Sequence, residues 1–193
     1  MVGYLRGILL TFLLLPMIGY SASQGDLAKL LKITSSSNSP LDLSGADLRK
    51  YQFTDNKMDF RFANLSHTNL SGVDLSKLNL SGADLSYANL ARAKLISANL
   101  TNANLSHANL SGAILQGANF SGASLNYALL MEADLQKANF TETDFSCANL
   151  NQANLTQSDF AQANISGATF INTITADIVH YHSVVDRPVK CEE

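Results

Sequence analysis

An all-β solenoid, a rod of short stacked coils, is the fold class this chain predicts, and three observations predict it. From Phe60 to Phe170 every fifth residue is Leu, Phe or Ile. The residue two places before each is Ala in 17 of the 23 units. The other three positions are mostly polar, rich in Asn, Asp, Ser and Gly. A five-residue period fits neither the helical repeat of about 3.6 nor the strand repeat of about 2. On a helix the Leu residues would smear around the circumference, and on a flat strand they would alternate between faces. Each unit therefore reads as a short extended piece plus a turn, with its centre aimed at a common axis. Asn, Asp, Ser and Gly are turn formers, and Gly tolerates positive φ. The Ala also points inward, where only a small group fits.

The units Ala83-Asp84-Leu85-Ser86-Tyr87 and Ala103-Asn104-Leu105-Ser106-His107 resemble the pentapeptide-repeat family. The resemblance covers residues 41–174 and implies a right-handed quadrilateral β-helix with four units per coil. Residues 20 apart then stack. Phe60, Leu80, Leu100, Phe120, Phe140 and Phe160 form one inner column. His67, Tyr87, His107, Tyr127, Cys147 and Gly167 form an outer one. Stacked Asn residues such as Asn79, Asn99, Asn119 and Asn139 are expected to form amide ladders.

The remaining elements follow in chain order. Residues 1–23 read as a signal peptide: Arg6, an apolar run from Ile8 to Leu15, Pro16, and cleavage after Ser21-Ala22-Ser23. The run is shorter than the roughly 20 residues of a membrane span, so no stable membrane insertion is expected after cleavage. Export to a periplasm, a thylakoid lumen or the extracellular space follows. In residues 24–40, Asp26 can cap a short helix with Leu27, Leu30 and Leu31 on one face, an N-terminal lid. The β-helix occupies 41–174. Its early centres Leu43, Leu48 and Phe53 share one phase, and the next, Phe60, comes seven residues later. Asn56-Lys57 is the simplest place for that two-residue insertion. Residues 175–193, with Ile178, Val179, Val184 and Val185, are expected to cap the last coil.

Composition narrows function. The repeat zone 41–174 holds 11 acidic and eight basic residues, a net of −3. A net charge this small implies no nucleic-acid partner, and a mimic of DNA needs rows of negative charge in place of phosphates, which no column supplies. A DNA-mimicking inhibitor of a type II topoisomerase is the alternative that the resemblance implies. No phosphate-binding glycine loop occurs, and the many Ser residues recur at one repeat position without a triad. A filled rod also lacks a concave pocket. Neither catalytic nor cofactor-binding residues are expected, and no cofactor. His67 and His107 would lie about 10 Å apart, too far to share a metal, and His180, Tyr181 and His182 read as surface groups. An even cysteine count in an exported chain leaves two states open, a Cys147–Cys191 disulfide or two free thiols. The expected role is a non-enzymatic exported scaffold or protein–protein interaction module whose partner is an unknown protein or envelope component. His67, Tyr87, His107 and Tyr127 are its candidate interaction face. The same face defines a second alternative, a carbohydrate- or envelope-binding module. Solenoid ends are the expected site of homodimer formation.

Overall fold

The computed structural model describes residues 40–53, 60–181, 184–186 and 189–191. Its architecture follows from the backbone N–H groups of a single unit, Ala63 to His67. Ala63 N–H donates to the Phe60 carbonyl at 3.1 Å and closes a turn. Asn64 N–H donates to the Leu41 carbonyl in the coil below at 2.7 Å. Leu65 and His67 N–H donate to Asp84 and Ser86 carbonyls in the coil above, at 2.7 and 2.9 Å. The fifth donor, Ser66 N–H, finds the Asn64 side-chain oxygen at 3.2 Å. Every donor is thereby satisfied, as a buried backbone requires.

This accounting explains why Asn or Asp precedes most centres. Its side-chain oxygen accepts the one N–H that the coils leave over, an Asx-type turn. The same bond recurs at Ser76–Asp74, Ser86–Asp84 and Thr141–Asn139. The expected amide ladder is therefore the minor arrangement. Side-chain amides donate hydrogen bonds between layers from Asn99 to Asn79, Asn104 to Asp84 and Asn164 to Asp144, at 3.2, 3.1 and 2.9 Å. The same acceptor oxygens of Asn79, Asp84 and Asp144 also take their local turn N–H, from Ser81, Ser86 and Ser146.

Parallel bridges run Asp74, Lys94, Ile114, Asp134, Asn154, Ile174, each 20 residues on, so four units complete a coil. The fold is a right-handed quadrilateral β-helix. One side stacks Asp42, Asn64, Asp84, Asn104, Ser124, Asp144, Asn164 and Val185. Seven steps of about 4.8 Å make a rod of roughly 34 Å. The centres and the small residues beside them are buried along the axis, as in Leu85, Leu105, Ala83 and Ala103. Polar residues enter the small-residue position by donating to a centre's carbonyl. Thr68 and Ser158 reach Leu65 and Leu155 at 2.6 Å, and Thr143 reaches Phe120 at 2.7 Å.

The two ends depart from this register. The lowest bridges, Asp42 to Asn64 and Asp47 to Asn69, are 22 residues apart, so two extra residues lie between Asp47 and Asn64. Asn56-Lys57, like the signal segment 1–23 and the capping helix, lies outside the described residues. At the other end the bridges continue beyond Ile174, pairing Asp159 with Val179 and Asn164 with Val185. Coil geometry thus runs into the segment read as a cap, and Ile178 and Val184 pack against the core.

Candidate functional site

The turn residue two places after each centre adopts positive φ. His67, Tyr87, His107, Tyr127 and Cys147 lie between 56° and 58°, and Gly167 at 71°. A left-handed backbone costs an L-residue about 1–2 kcal/mol. The coil imposes it, because this N–H must meet a carbonyl of the next layer, as His67 meets Ser86 and Tyr87 meets Ser106. Identical backbone in every layer sends these side chains out from one corner in parallel. His67 and Tyr87 stack with centroids 4.9 Å apart and planes 3° from parallel. Tyr87 and His107 follow at 4.6 Å and 2°, then His107 and Tyr127 at 4.9 Å and 3°.

The structure therefore brings together His67, Tyr87, His107 and Tyr127. Tyr87 and His107 each have a ring on both faces, so edges, the Tyr hydroxyl and the imidazole nitrogens are what a partner meets. A Tyr separates the two His residues. Among the described residues, no cluster of His, Cys, Asp or Glu could hold a metal.

Two further exposed apolar residues lie on the coil side that leads away from this corner, and they were missed in the sequence. Leu129 stands where Asn69, Asn89 and Asn109 stand in the layers beneath. Met131 holds the position after centre Leu130, where Ser111 and Ser71 follow theirs. Both lie on the same coil as Tyr127, and they are 43% and 38% exposed. Their signal was a Leu above a column of Asn and a Met above Ser71, Ala91 and Ser111, at one level.

Above Tyr127 the column ends in a disulfide. Cys147 is bonded to Cys191, with Cα atoms 5.6 Å apart. Gly167 sits one layer higher. A Cβ there would lie 2.6 Å from the Cys191 sulfur and 2.7 Å from Val189 Cγ2.

Comparison with known proteins agrees with this architecture. The model for pentapeptide repeats matches in 8 copies, over residues 58–90, 88–126, 113–146 and 143–174. No curated protein matches. A pentapeptide repeat protein from the Arabidopsis thaliana thylakoid lumen is 31% identical, over 59% of this chain and 76% of that one, with a TM-score of 0.48. HetL, from the cyanobacterium Nostoc sp. strain PCC 7120, is described as involved in heterocyst differentiation regulation. It is 28% identical over 72% of this chain and 82% of its own, with a TM-score of 0.25. Rfr23, from the cyanobacterium Cyanothece 51142, is 24% identical over 62% and 88%, with a TM-score of 0.33. With family matches spanning residues 58–174, and a coil closed by four five-residue units, the chain belongs to the pentapeptide-repeat family.

Proposed function

We propose that the chain is an exported, non-enzymatic scaffold that binds a protein partner on the corner formed by His67, Tyr87, His107 and Tyr127. One observation carries this reading: the aromatic stack reaches the coil on which Leu129 and Met131 are exposed, in columns that hold Asn69, Asn89 and Asn109, and Ser71, Ala91 and Ser111, in the layers beneath. Neither apolar side chain serves the coil, whose hydrogen bonding prefers Asn at the first position. Tyr and Met are residues that protein interfaces favour. Export rests on the sequence of residues 1–23. Among the described residues, no helix is long and apolar enough to cross a membrane.

The other two readings draw less support. Sugar recognition by aromatic side chains uses an open ring face, and here the inner rings face one another. DNA mimicry needs a charged stripe, yet the position before the centres holds 12 Asn against six Asp in the 23 units. Self-association has its support at the upper end, where Ile171, Ile174, Val179 and Tyr181 are exposed.

The test places a photo-reactive residue at Leu129 in the source cells, with Gln157 on another corner as the control. The expected result is a protein adduct from position 129 alone, lost in the Tyr87→Ala/Tyr127→Ala variant. Equal adducts from both positions, or one indifferent to the Tyr residues, would reject the proposed face. Fractionation of the same cells checks export, which an unprocessed cytoplasmic product would refute.

A further inference from the structure

The last coil is tied to the rod in two different ways. Up to Val185 it is held by backbone bonds, ending with Val185 N–H to the Ala163 carbonyl at 2.7 Å. Among the described residues, Asp186, Val189, Lys190 and Cys191 make no backbone hydrogen bond to the coils. They are held by the Cys147–Cys191 bond and by the seat over Gly167. That glycine is not required by its φ of 71°, because 19 non-glycine residues among those described also have positive φ. What Gly167 supplies is clearance, since any side chain would strike Cys191 and Val189.

We propose that Cys147–Cys191 is a thiol-exchange site, a strap that a dithiol opens. Opening lifts Val189 and Cys191 off Gly167. Cys191 is exposed, whereas Cys147 is half-buried and fixed by Cys147 N–H to the Ser166 carbonyl at 3.0 Å. The incoming thiolate therefore attacks the Cys191 sulfur. The bond to Cys147 breaks, and Cys147 leaves as a thiolate that takes a proton. The second thiol of the dithiol then attacks its own partner sulfur in the mixed disulfide and releases Cys191, which is protonated in turn. The dithiol ends oxidised to a disulfide, and the two protein sulfurs are reduced. Closure is equally direct. Cys191 lies six residues beyond the anchored Val185, a tether with a root-mean-square span of about 13 Å. Such a tether keeps the thiols at millimolar effective concentration. This inference is independent of the partner proposed above.

The experiment uses the full chain in native buffer, with and without millimolar dithiothreitol. Alkylation with mass spectrometry reads the thiols, far-ultraviolet circular dichroism reads the coils, and trypsin cleavage after Lys190 reads the strap. The expected result is alkylation of both cysteines with an unchanged spectrum, and cleavage at Lys190 about tenfold faster, because proteolysis follows the population of the open segment. Cys191→Ser should cleave at that faster rate without dithiothreitol, and Gly167→Ala should be reduced faster than the parent. Thiols that react only after global unfolding would overturn the proposal and leave a structural staple. Reduction without faster cleavage at Lys190 would overturn it too.

Discussion

Asp74 and Asp47 stand before centres, at the position most units give to Asn, and both carboxylates are held below their ordinary pKa. For Asp74 the main cause is the Ser76 hydroxyl, helped by the Ser76 N–H and by Lys94, against partial desolvation. For Asp47 it is the Arg49 guanidinium, whose Nη2 lies 2.6 Å from the carboxylate. A depressed carboxylate adds stability above its unfolded pKa, and that share is lost as pH falls through the lower folded value. The window therefore opens near pH 4 and extends downward. Both groups are exposed, so the effect is small. Asp47→Asn/Asp74→Asn keeps a side-chain oxygen for each turn N–H, so its stability at pH 7 should stay within about 0.5 kcal/mol of the parent. Below pH 4 the variant should lose stability less steeply, as thermal melts across pH would show. Parallel acid limbs would refute the assignment.

Within a coil, the centre positions carry the burial energy, and Phe140 joins the most rings. It contacts Phe120, Phe145 and Phe160 at centroid distances of 5.3, 4.9 and 5.1 Å. Phe140→Ala should cost about 3–5 kcal/mol in chemical denaturation, and Phe140→Leu distinctly less, since Leu fills 16 of the 23 centres. Equal losses would mean that ring contacts, not volume, hold this layer. The inward columns were legible because size and polarity repeat every five residues. Four units per coil was not, because a period of five says nothing about where a coil closes; that came from the resemblance. The uppermost coil escaped notice because Thr175 and His180 stand where Leu would, and no full layer above them demands a core. The aromatic column could be read from residues 20 apart, but its face-to-face geometry depends on a shared backbone conformation. The even cysteine count left bonded and free states open. The clearance at Gly167 exists only in three dimensions.

At the scale of the rod, each layer touches only its neighbours, so fold and corner can be separated by deletion. Removing residues 88–107 takes out one full coil and joins Tyr87 to Ala108, which assumes the place of Ala88. The rod shortens by about 4.8 Å, and Tyr87 comes to lie directly beneath Tyr127. Removing residues 88–102 instead deletes three units and joins Tyr87 to Ala103. Every Leu centre still points inward, but the upper part turns by one corner. Gly122 then lies above Tyr87, and His107 and Tyr127 move to the adjacent corner. Both deletions should keep the parent's circular dichroism spectrum and a cooperative melt, with a modestly lower midpoint for the shorter core. Only the deletion of 88–107 should retain a partner adduct from position 129. Loss of the fold in the 88–102 deletion would show that the four faces are not interchangeable. An adduct that survives it would show that Leu129 and Met131 bind without the lower half of the aromatic column.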